Sequence, residues 1–233
     1  METSLGVLTV TAATIALVHT VIGPDHYLPF IVISRARRWS LIKTTWVTIL
    51  CGIGHVGSSI LIGSIGIAAG IGVSRLEGVE GVRGDLAAWL FFAFGLGYMV
   101  YGLIRAYNKR PHKHVHLHTD GTAHVHEHVH ADEHSHYHKP NITPWILFTI
   151  FVLGPCEPLI PVLMVPAADK STWGIVMVSL VFSLVTIVTM VIMVILTSYG
   201  LKFVKLGKVE RYTHALAGAT IALSACAVLF LGL

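Results

Sequence analysis

The chain has 233 residues, of which 54% are hydrophobic and only 12% charged, with a formal net charge of +4 and a mean hydropathy of +0.73. Soluble domains carry about twice that share of charge, so the composition excludes an ordinary soluble domain and points to an all-α polytopic membrane protein. The basic residues gather at segment ends with no interleaved aromatic surface, and no GxxxxGKS loop occurs, so neither nucleic acid nor nucleotide is expected as a partner.

In chain order, apolar runs cover 6–33, 43–73, 85–107, 142–166, 172–199 and 212–233. Each suffices for a helix through a hydrocarbon core of ~30 Å, which takes about 20 residues. Six transmembrane helices are therefore expected, with the lipid bilayer as their solvent. The first run is too long for a signal-peptide core and lacks a basic region before it, so it is expected to be retained. Segments 34–43, 105–139 and 200–211 hold four, five and four Lys/Arg, whereas the two intervening loops hold only Arg75, Arg83 and Lys170. That asymmetry predicts an inner or plasma membrane protein with the first three segments cytoplasmic and both termini outside.

The first run is interrupted at Gly23-Pro24. Proline inside a helix removes a backbone donor and clashes with the preceding turn, at about 3 kcal/mol or more. In a membrane such breaks are tolerated mainly where they line a cavity. His19, Asp25 and His26 flank this break, and His55 follows in CGIGHVGSSI of the second run. A charge at mid-membrane costs ~2.5–3.5 kcal/mol on insertion scales, so ionisable residues there are candidate functional groups. Three imidazoles with one carboxylate suit nickel, cobalt, copper or zinc and not calcium or magnesium. Asp25 and His26 also suit a simple helix end near Arg35, and a lone His55 also suits hydrogen-bonded packing.

After the third run comes PHKHVHLHTDGTAHVHEHVHADEHSHYHK, with His112, His114, His116, His118, His124, His126, His128, His130, His134, His136 and His138. Neutral imidazoles at this density are expected to bind borderline metals on the cytosolic side. A segment this polar is not expected to pack, so it reads as a disordered loop over 108–141 when metal is absent.

The fourth run is broken in its turn at Gly154-Pro155, followed by Cys156 and Glu157, a soft and a hard candidate ligand. Cys156 serves equally as a small packing residue. IGPDHYLPFI at 22–31 matches LGPCEPLIPV at 153–162, and LAAWLFFAFGLGYMVYGL at 86–103 resembles LAGATIALSACAVLFLGL at 216–233. The pattern predicts two three-helix repeats, 1–107 and 142–233, inverted because three is odd, with helices 1 and 4 broken. Ser183, Thr186, Thr189 and Met190 in the fifth run suit either a polar path or helix–helix hydrogen bonding. Cys51, Cys156 and Cys226 form no CxxC, so no disulfide framework is expected.

HTVIGPDH, GHVGSS, the His-rich segment after helix three and the Pro-Cys step opening helix four resemble the nickel/cobalt transporter (NicO) family, which includes nickel–cobalt efflux proteins and UreH-like urease accessory membrane proteins. The resemblance implies a transporter, not an enzyme, that moves Ni²⁺ or Co²⁺, with zinc or copper as further candidates and a cytosolic metal chaperone as a partner. It implies metal handling at His19, Asp25, His26 and His55. One departure stands out: related permeases carry His-x4-Asp-His, whereas five residues separate His19 from Asp25 here. The extra residue turns His19 by about 100° on a regular helix, so its reach depends on the break. Two rival readings are a transmembrane thiol–disulfide electron carrier of the CcdA/DsbD type using Cys156, and a metal-binding accessory protein that transports nothing. The carrier type needs reactive cysteines at symmetry-related places, and Asp25 stands opposite Cys156.

Overall fold

A computed structural model describes residues 2–108, 112–117, 123–128, 142–203 and 207–232. Within these, the chain is a polytopic helical membrane protein. Helices α1 (Glu2–Ile22) and α2 (Leu28–Ala36) flank a single 3₁₀ turn over Pro24–His26. Then come α3 (Leu41–Ala68) and α4 (Val73–Asn108). The second half opens with the short pair α5 (Thr143–Leu153) and α6 (Leu159–Ala168), followed by α7 (Thr172–Lys202) and α8 (Thr213–Leu231). Five of these helices are long and apolar enough to cross a membrane alone, while α5 and α6 are too short and make the fourth expected crossing as a broken pair. Both expected breaks are present.

Large apolar side chains face outward all round: Trp46, Trp145, Trp173 and Leu184 are each more than 60% exposed. In water such a surface would associate, whereas in lipid it is the solvated face. Two apolar clusters fill the interior, and at the α4–α8 contact small residues let backbones meet. On α4, a Cβ at Gly95 would lie 2.5 Å from the Ala222 nitrogen and one at Gly102 would lie 2.1 Å from that of Ala215, both on α8. From the other side, a Cβ at Gly218 would lie 2.1 Å from the Met99 nitrogen. The two stretches with similar sequences therefore pack directly on each other.

The repeat is visible in backbone detail. After α2, Arg38 takes a left-handed conformation (φ 54°) and Trp39 N–H bonds to Ser34 O at 2.8 Å; after α6, Lys170 (φ 54°) and Ser171 N–H to Pro166 O at 2.9 Å repeat the turn. Both are Schellman-type ends, which satisfy carbonyls a helix terminus leaves free. Ser40 and Ser171 then cap the following helices, accepting from Lys43 N and Gly174 N. Helix neighbours also map onto themselves when the halves are exchanged: α1 packs on α7 as α5 packs on α3, and α2 on α8 as α6 on α4.

Two features differ from the sequence-based expectations. Helix α4 begins at Val73, not near 85, because Arg75, Glu77, Glu80, Arg83 and Asp85 continue the helix instead of forming a loop. In the histidine segment, 112–117 and 123–128 form an antiparallel two-stranded ladder pairing His112 with His128, His114 with His126 and His116 with His124. The expected loop is thus a hairpin over these twelve residues; strict alternation gives a period of two, which a ladder uses directly. His118, His130, His134, His136 and His138 lie outside the described residues.

Candidate functional site

The first break builds a compact polar cluster. Helix α1 closes with Gly23 N–H bonded to His19 O, and Pro24 then starts a 3₁₀ turn whose end carries His26. Here Gly23 is required for space rather than for its backbone angles: a Cβ would fall 2.6 Å from His26 Nδ1 and 2.9 Å from Asp25 Oδ1. The His26 ring turns back over the break, with Nδ1 3.0 Å from Asp25 Oδ1 and 3.2 Å from Gly23 O. Two oxygen acceptors at one ring nitrogen place the proton on Nδ1 and leave Nε2 with its lone pair.

The other imidazoles converge on that ring. His19 lies 4.7 Å from it, centroid to centroid and edge-on, and His55 of α3 lies 5.1 Å away on another side. The turn through the break has absorbed the rotation introduced by the extra residue, so His19 does reach the cluster. One ring nitrogen from each of His19, His26 and His55 lies within 4.8 Å of the others. Nε2 of all three is buried without a hydrogen-bond partner. A buried polar atom left unpaired costs about 1–3 kcal/mol, so three in one place mark a candidate ligand set.

These residues line one wall of a cavity of about 330 Å³. Asp85 and Gly84 of α4 contribute another wall, and Gly154, Pro155 and Glu157 of the second break a third. Glu157, expected as a ligand, faces this cavity, but the described metal-type cluster comprises only the three histidines. Cys156 turns the other way. It is fully buried in an apolar cluster with Ala12, Ala16, Val56, Leu159 and Phe182.

What holds the second break was missed in the sequence. Cys156 N–H donates to Ser59 Oγ at 3.0 Å and to Glu80 Oε2 at 3.3 Å, and Ser59 donates to the same Glu80 oxygen at 2.7 Å. Glu80 has no exposed surface. Arg83 pairs with its other oxygen and also donates to Ser58 Oγ at 2.7 Å, to Val152 O at 3.0 Å and to Gly154 O at 3.4 Å. The carbonyls freed by the α5–α6 break are thus filled by an arginine of α4. Ser58 in turn donates to His55 O, linking this network to the histidine cluster. A Glu-x-x-Arg spacing, which brings opposite charges together on one helix face, was the available signal.

Comparison with known proteins supplies the family. No curated protein and no solved structure matches the chain. A family model described as "Cytochrome C biogenesis protein transmembrane region" matches residues 28–231. This finding overturns the resemblance to the nickel/cobalt transporter family and the metal-transport function drawn from it. The motifs behind that resemblance are short and cluster at helix breaks, where Gly-Pro and polar residues recur for backbone reasons; the match runs through α2 to α8. The chain belongs to the family of cytochrome c biogenesis protein transmembrane regions.

Proposed function

We propose that the chain carries reducing equivalents across the membrane by thiol–disulfide exchange at Cys156. Family membership together with a free cysteine at the second helix break carries this reading. Cys51 packs in a different apolar cluster and Cys226 lies on α8, while Asp25 occupies the matching position of the first break. The exchange therefore runs as a relay through one thiol. The Cys156 thiolate attacks a disulfide of an acceptor protein, breaking its S–S bond, forming a mixed disulfide and releasing one acceptor thiol. A thiolate of a donor dithiol protein then attacks the Cys156 sulfur and releases the second acceptor thiol. The donor's other thiol resolves the remaining mixed disulfide, leaving the donor oxidised and Cys156 as a thiol. Two electrons and two protons pass from donor to acceptor.

Cys156 is buried at rest, so exchange requires the break to open. Its neighbours Pro155 and Glu157 already border the cavity, which supports a short path to exposure. The Lys/Arg asymmetry supports a cytoplasmic side bearing the histidine segment. The test uses the full chain in sealed liposomes with a membrane-impermeant dithiol outside and a chromogenic disulfide trapped inside. Wild type, Cys51→Ser and Cys226→Ser are expected to reduce the trapped disulfide, and Cys156→Ser to match protein-free liposomes. A Cys156→Ser rate equal to wild type overturns the reading.

A further inference from the structure

The thiol relay makes no use of the histidine cluster, and the family match begins after His19, Asp25 and His26. We propose that His19, His26 and His55 hold one resident d-block cation of the zinc or copper kind inside the membrane. Asp25 serves as the residue that orients His26 and does not itself ligate. The proposal is independent of the relay at Cys156.

Three observations converge on it. Ring nitrogens from α1, the 3₁₀ turn and α3 meet within 4.8 Å, although the first and the last, His19 and His55, belong to separate helices with two turns between them. Histidines packed only for shape would satisfy their nitrogens on nearby carbonyls, yet Nε2 of each is buried and unpaired. Finally, Asp25 and Gly23 O engage His26 at Nδ1, the carboxylate–histidine arrangement that fixes the tautomer and points the other nitrogen at a metal.

The chemistry of the donors narrows the ion to the borderline d-block cations. Neutral imidazole suits zinc and copper; calcium and magnesium demand oxygen. Zn–N bonds of about 2.0–2.1 Å in a tetrahedral shell bring nitrogens about 3.3 Å apart, so binding draws the three rings together from their present spread. Side-chain rotation covers that contraction, which from nitrogens within 4.8 Å of one another is about 1.5 Å. The fourth position turns to the cavity bordered by Asp85 and Glu157, where water completes the shell. Those carboxylates and Asp25 offset the charge of the ion.

Zinc alone is the probe, with the full chain in lipid nanodiscs and the histidine segment retained in every variant so that its contribution cancels. After dialysis against a chelator, wild type is expected to keep one zinc more per chain than His55→Gln, and added zinc to raise its unfolding temperature. Asp25→Asn keeps the shape but loses the acceptor charge; its zinc affinity is expected to fall about 10–100-fold. Should His55→Gln fail to fold, the Asp25→Asn affinity decides. Equal zinc retention and equal thermal shift in wild type and His55→Gln overturn the proposal, as does an unchanged affinity in Asp25→Asn. Disulfide-reduction rates of Cys156→Ser leave this result untouched, so failure of one reading is distinguishable from failure of the other.

Discussion

The two helix breaks begin with the same Gly-Pro step and solve the same problem by different means. At the first, the chain fills its own gap: His26 turns back to Gly23 O and Asp25 braces the ring. At the second, nothing local suffices, and Arg83 of α4 donates to Val152 O and Gly154 O while Glu80 and Ser59 receive Cys156 N–H. The first break therefore spends its side chains on a site with free nitrogens. The second hands its satisfaction to a neighbour and leaves Cys156 with no structural bond through sulfur among the described contacts. Backbone symmetry, in other words, does not impose chemical symmetry.

Substitutions separate the two designs, and the largest effect belongs to the borrowed one. Arg83→Met strands the Glu80 charge in the interior and frees two carbonyls; breaking a buried pair costs about 3–5 kcal/mol. Thermal unfolding in detergent is expected to show a clear loss of stability, or the protein will fail to accumulate in the membrane. Gly23→Ala comes next. Its methyl group must push the His26 ring off Asp25, losing a hydrogen bond of about 0.5–1.5 kcal/mol. The melt is expected to shift modestly, with loss of the Nδ1–carboxylate signature in nitrogen NMR of labelled histidine. Gly154→Ala sharpens the contrast, because its nearest neighbour would be Phe151 O at 3.3 Å and its backbone is extended (φ −61°). A compatible backbone limits the change to about 1 kcal/mol in either direction, read from the same melt. Cys156→Ala, which sets no unpaired hydroxyl in that apolar cluster, is expected to change stability least while removing disulfide exchange altogether, which pairing a melt with the liposome assay would reveal.

Much of this architecture was legible because membranes impose simple rules. Run lengths gave the spans, and Gly23-Pro24 and Gly154-Pro155 gave the breaks, since nothing else in a lipid-embedded helix announces itself so plainly. Three particulars escaped for physical reasons. The polar start of α4 read as a loop because Glu80 and Arg83 look hydrophilic one by one, yet they neutralise each other and face inward. The histidine segment read as disordered because its composition outweighed its alternation, although Asp120-Gly121 lies between the two alternating stretches, and such a dipeptide favours a hairpin turn. The histidine cluster was foreseen by residue type. Whether His19 would join it depended on how a 3₁₀ turn rotates the chain, which spacing alone does not reveal. Function was misread for a different reason: a few residues around a break resemble more than one family, and only the extent of a match separates them.

The glycine seam between α4 and α8 has a mechanical consequence. Main chain rests on main chain at Gly95, Gly102 and Gly218, with no flexible groups in between to act as lubricant. Sliding along such a joint would drive Cα hydrogens and carbonyls into one another at every step, whereas slight twisting about it would not. The seam is therefore an axle, and any excursion that exposes the buried thiol must grow with distance from it, being greatest towards α1, which packs on α7 and away from the seam.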